Sequence, residues 1–191
     1  MSTEYLSRAF ASTRSILATV QPDQLDEPTP CVSWDVRELI EHFVATARWW
    51  ASVIGADQDL LTGDAACEGP VAGYDTNIAV ALEAFGSDGA LDRTVRLPFG
   101  ELSGTVVSGL AAIEQFTHGW DLARATGQST DLDPALADDL LILAREAVLG
   151  EYRGPNEVAF FGPIVDPPNG AGPADRLAAF LGRPTRAGQD I

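Results

Sequence analysis

The chain has 191 residues, 46% of them hydrophobic, enough for one core of respectable size, and a formal net charge of −16. A surface this acidic repels duplex nucleic acid and anionic membranes, so neither is an expected partner, and small molecules or other proteins are better candidates. All twelve basic residues are arginine, which excludes a lysine Schiff base or a lysine general base.

The opening residues, Met1 to Tyr5, lack the basic and then apolar order of a secretory signal. No apolar run approaches the roughly 18 residues of a membrane span. The expectation is a soluble, cytoplasmic protein. In a reducing cytosol Cys31 and Cys67, far apart and without a CxxC pairing, read as two ordinary, partly buried thiols. The other reading makes Cys31 reactive or ligating, close to His42.

Along the chain, Tyr5, Leu6, Phe10, Ile16, Leu17 and Val20 recur near the helical period and predict a first helix over 4–20, stopped by Pro22. Pro22, Pro28 and Pro30 make the next stretch a fixed connector. Ser33 is the expected N-cap of a second helix running from Trp34 to about Ile54, with Asp35 in its first turn and Gly55 at its end. Residues 55–73 read as a surface loop, and Asp75 as the cap of a third helix over 76–86. Partial alternation from Leu91 to Leu102 around Pro98-Phe99-Gly100 predicts a β-hairpin. Ser103 or Thr105 caps a fourth helix reaching about Thr126, with Gly127 as its stop, and Asp133-Pro134 opens a fifth reaching about Val148. From Gly154 the Gly-Pro pairs predict an irregular tail pinned by Phe160, Phe161, Ile164 and Val165, ending in a short helix from Pro173 to Leu181. The pattern is all-α: one helical-bundle domain over 1–191, with 154–191 a Pro/Gly-rich tail packed on the bundle.

Both histidines fall within predicted long helices, His42 on the apolar side of the second and His118 in the fourth. Glu114 lies four residues before His118 and Asp121 three after, so the three share a face. A carboxylate one turn from an imidazole on a buried stripe is costly unless something neutralises it, and a metal ion would do so. Two imidazole nitrogens and one carboxylate oxygen are also the protein ligands of an open zinc site. By spacing alone a lone histidine on an apolar face is more often a hydrogen-bonded core residue than a ligand. Asp121 has three readings: a ligand in place of Glu114, an acceptor for a ligand's second nitrogen, or a partner of Arg124. Trp49, Trp50 and Trp120 are candidates to line an apolar pocket, or core filling. Arg48 is a candidate contact for a substrate carboxylate, or a solvated helix residue. No catalytic acid or base is identifiable.

The run from Thr29-Pro30-Cys31 through Trp34, Val36, Arg37 and Leu39 to His42 resembles the opening of the mycothiol-dependent maleylpyruvate isomerase N-terminal family, part of the DinB-like metal-binding superfamily. Glu114 to Gly127, with its H-G-W-D-L-A-R-A-T-G string, is similar to that group's second motif in an actinobacterial subgroup of uncharacterised metal-binding proteins, and the tail from Phe161 to Pro184 resembles the subgroup's ending. The resemblance implies a DinB-like up-down four-helix bundle with the metal held by His42, Glu114 and His118. The metal would be zinc by default, with nickel, iron or cobalt also suited to such ligands. It further implies a thiol such as mycothiol as cosubstrate, an electrophilic small molecule as its partner, and transferase or isomerase chemistry. A non-catalytic binding module and a metal-dependent hydrolase are the rival readings, and a homodimer is the default assembly. The second domain of the characterised isomerase has no counterpart in this chain.

Overall fold

The computed structural model describes residues 3–56, 69–97, 100–148, 150–154 and 161–185. Six α-helices and one hairpin appear among them: α1 (Glu4–Leu17), α2 (Val36–Val53), α3 (Pro70–Gly86), β1 (Thr94–Leu97), β2 (Gly100–Ser103), α4 (Gly104–Ala125), α5 (Pro134–Ala147) and α6 (Pro173–Phe180). The fold is the mainly helical, DinB-like one with a β-hairpin. None of the described helices is long and apolar enough to cross a membrane.

α1 buries Leu6, Ala9, Phe10, Thr13, Ile16 and Leu17, the i, i+3/i+4 stripe of an amphipathic helix. It ends before Val20 because Thr19 and Val20 bond three residues back, to Ile16 and Leu17, and tighten the last turn. α2 begins at Val36 and not at Trp34, and its cap is Asp35 in place of Ser33. The Asp35 carboxylate accepts from the Glu38 amide while the Glu38 carboxylate accepts from the Asp35 amide. This reciprocal arrangement satisfies two amides that Ser33 could not serve together.

The third helix departs most from expectation. It opens at Pro70, six residues before the predicted start, with proline in its first turn. The four residues 70–73 of the predicted loop are therefore helical, while 57–68 lie outside the described residues. Asp75 is no cap; it sits inside α3, where both its oxygens accept from Arg14 on α1. Tyr74, fully buried, gives this extra turn a packing reason that its sequence does not advertise.

In the hairpin Thr94 pairs with Ser103 and Leu97 with Gly100, antiparallel; Pro98 and Phe99 lie outside the described residues. Ser103 also caps α4, its hydroxyl accepting from Val106. α4 is buried almost all round, as a central helix must be, and Gly127 at φ 68° follows its end. Asp133 and Pro134 start α5 as expected, the carboxylate accepting from the Leu136 amide.

Thr46 and Trp50 of α2 reach Glu114, whereas His42 lies beside both Glu114 and His118, so α2 and α4 are antiparallel. Pro70 lies beside Arg37 and Glu41 near the start of α2, and Asn77 reaches the Val44 carbonyl, so α3 runs parallel to α2. α1 packs chiefly on α4, and α5 and α6 pack on each other and on α4. Gly119 makes the α1–α4 approach close: a Cβ there would lie 3.0 Å from Thr13 Cβ and 3.1 Å from its Cα. Gln115 ties the bundle together at its centre. Its Nε2 donates toward the Phe43 carbonyl, Thr46 and Glu114, and its Oε1 accepts from the Tyr74 hydroxyl.

Candidate metal centre and its cavity

His42 comes from α2, and Glu114 and His118 come from successive turns of α4. Glu114 Oε1 lies 3.4 Å from His42 Nε2 and 3.7 Å from His118 Nε2, and all three donor atoms are within 4.8 Å of one another. Bonds of ~2 Å to a common ion put its ligands roughly 3–4 Å apart, so this donor set fits one small divalent cation.

Each donor is held from behind. Glu114 Oε1 accepts from Thr46 at 2.7 Å, and Oε2 accepts from Trp50 Nε1 at 3.2 Å and Gln115 Nε2 at 2.8 Å. The second oxygen is thus spent on protein donors and the first faces the imidazoles. Burial pushes the Glu114 carboxyl up, but the His42 hydrogen bond and the His118 charge outweigh it and keep the pKa below its ordinary value. His118 Nδ1 lies 3.1 Å from Asp121 Oδ2. An ionised carboxylate can only accept, so Nδ1 carries a proton and Nε2 is the nitrogen that faces Glu114. The Trp34 ring lies against His42, with centroids 4.3 Å apart, and fixes that imidazole from the side.

Asp121 is fully buried, and both of its oxygens accept from Arg183 in the C-terminal tail. Burial again works against ionisation, and the Arg183 and His118 charges overcome it, holding the carboxyl at about 2. Of the three readings of Asp121, the structure has the acceptor behind a histidine nitrogen; its arginine partner is Arg183 and not Arg124. The Cys31 thiol donates to the same Oδ2 at 3.2 Å. Burial and the neighbouring Asp121 charge raise its pKa strongly, so it stays a thiol, the ordinary reading. Cys67 lies outside the described residues. Cys31, His118 and Asp121 are also close enough to hold an ion, yet Asp121 is already neutralised by Arg183.

A cavity of about 880 Å³ opens in front of the three donors. Trp49 and Trp50 line it as expected. Trp120 does not; it is buried elsewhere with Nε1 bonded to Asp175. Arg48 also lies elsewhere, reaching across to Asn77 of α3, because its position on α2 faces that helix. Thr46, Gln115, Trp34 and Arg183 escaped the sequence reading as contributors to the site. Trp34 stands in the first motif and carried a usable signal, but Arg183 is 62 positions from its partner and no local spacing marks it.

A family model, the mycothiol maleylpyruvate isomerase N-terminal domain, matches residues 6–123. Two uncharacterised proteins of Mycobacterium tuberculosis, from different strains, are each 44% identical over 186 residues, covering 94% of this chain and 96% of the relative. No solved structure matches the chain.

Proposed function

The chain belongs to the mycothiol maleylpyruvate isomerase N-terminal domain family, and from that premise we propose that it is a cytoplasmic, single-domain enzyme that binds one divalent ion through His42, Glu114 and His118 and activates a small thiol, mycothiol or a close analogue, for transfer to an electrophile. The observation that carries this reading is the convergence of three donors from two helices, each braced from behind, on the inner end of one cavity. A bound divalent ion, zinc by preference over nickel, iron or cobalt, would lower the pKa of a coordinated thiol and supply the nucleophile near neutral pH.

The chain's own part is positional. Asp121 fixes the His118 tautomer, Thr46 and Trp50 fix Glu114, and Trp34 fixes His42. Beyond the family-matched residues 6–123, α5 and the tail wall the cavity, and S-transfer is the reading favoured over isomerisation of maleylpyruvate.

Elemental analysis of the purified protein and of His42→Ala, with calorimetric titration of mycothiol into both, tests the proposal. About one equivalent of metal in the wild type, loss in the variant, and heat of thiol binding only with metal present are the expected results. Metal retained by His42→Ala would overturn the site. Hydrolysis of test esters without thiol would transfer the assignment to a hydrolase, and tight thiol binding without product to a binding module.

A further inference from the structure

The cavity walls differ from the metal end in character. Val32 at 63% exposure and Trp49 at 47% stand at its edge as large apolar groups open to solvent, and Val106, Leu110, Leu143 and Phe161 continue the apolar lining inward. Leu143 and Phe161 lie beyond the family-matched residues 6–123, as do Glu146, Tyr152 and Arg183 on the same side. This chain's own C-terminal third therefore builds a wall of the cavity.

Charge on that wall is lopsided. Arg183 is the one arginine lining the cavity among the described residues, and its Nε and Nη2 are both bonded to Asp121. The sequence holds no lysine, and among the described residues no second arginine lines the cavity. Glu146, an exposed carboxylate on α5, lines the cavity and adds a negative charge. A substrate carboxylate against this wall would lose water, meet the like charge of Glu146 and find, among the described lining residues, only a guanidinium already bonded to Asp121.

We infer that the molecule sharing this cavity with the thiol is an uncharged, predominantly apolar electrophile such as an aryl epoxide, selected by the wall that α5 and the tail contribute. The identity of the reaction rests on the proposed thiol transfer, whereas the selectivity of the wall does not. In the transfer the thiol sulfur gives its electron pair to an epoxide carbon and the carbon–oxygen bond breaks. The ring oxygen takes up that bonding pair and one proton, which balances the proton lost by the thiol. Nothing but thiol and epoxide is consumed.

The test compares styrene oxide with its para-carboxylate in turnover by the zinc-loaded protein with mycothiol. Alongside it, 1-phenylethanol and its para-carboxylate, which cannot react, are titrated by quenching of the cavity tryptophans in loaded and metal-free protein. The neutral member of each pair is expected to win by about tenfold or more in kcat/KM and in affinity. Glu146→Arg, a replacement at an exposed position that leaves the core intact, should erase or reverse the preference. Equal or tighter binding of the carboxylate to the metal-free wild type would overturn the inference. A neutral preference in binding without turnover of either epoxide would leave the wall's selectivity standing and defeat the thiol-transfer reading instead.

Discussion

His118 Nδ1 and Asp121 Oδ2 lie 3.1 Å apart one turn along α4, and the same carboxylate is the anchor for Arg183 of the tail. A donor of the candidate metal centre and the end of the chain are thereby joined through one buried group. Arg183→Met should leave Asp121 as an uncompensated buried charge and cost about 3 kcal/mol. Asp121→Leu combined with Arg183→Met should recover a good part of that loss. Urea denaturation of both variants and of Asp121→Leu alone closes the cycle, and strictly additive effects would mean the pair is not coupled.

Metal removal offers a second check. If the ion binds only the folded chain, saturation at a hundred times its Kd stabilises by about 2.7 kcal/mol. Chelation should therefore lower the melting temperature of the wild type. Glu114→Gln, which keeps the shape but loses the anionic donor, should melt at one temperature with or without chelator. A chelator effect of equal size in both proteins would show that the ion sits elsewhere.

Packing between α1 and α4 gives a third. Gly119→Ala would press a methyl against the Thr13 side chain and backbone and should destabilise by about 1–3 kcal/mol. Adding Thr13→Ala removes the clashing hydroxyl and should restore part of the loss, even though that hydroxyl also donates to the Gln115 carbonyl. Thermal melts of the two variants decide the matter: no partial rescue would mean that α1 and α4 separate more easily than their contact implies.

Acid stability supplies the fourth. Asp133 caps α5 and accepts from Arg8 Nε and Nη2; burial raises its pKa, but Arg8 and the Leu136 amide outweigh that and leave it below the ordinary 3.8. For a carboxyl depressed in the folded state, the stabilisation is full above 3.8 and is lost as pH falls through the lower folded value. Asp133→Ala should cost about 1–2 kcal/mol at neutral pH, with the exposed share of the ion pair discounted. Its stability should also fall less steeply than the wild type's as pH drops below 3.8. Parallel curves in urea titrations across that range would show that Asp133 titrates normally.

Local chemistry determined a good deal of this protein on its own. Periodicity placed α1, α2, α4 and α5, Asp133-Pro134 marked a helix start, and the turn at Pro98 to Gly100 announced the hairpin. These signals act within a few residues, where a cap, a proline or an apolar stripe has its effect. The E-x-x-x-H spacing likewise put Glu114 and His118 on one face of α4. Tertiary structure alone decided the rest. Only packing lengthens α3 back to Pro70 and buries Tyr74, turns Arg48 toward Asn77, sends Trp120 to Asp175, and brings Arg183 across 62 positions to Asp121. Such contacts are settled by which surfaces meet when helices associate, and no pattern confined to one segment records that choice.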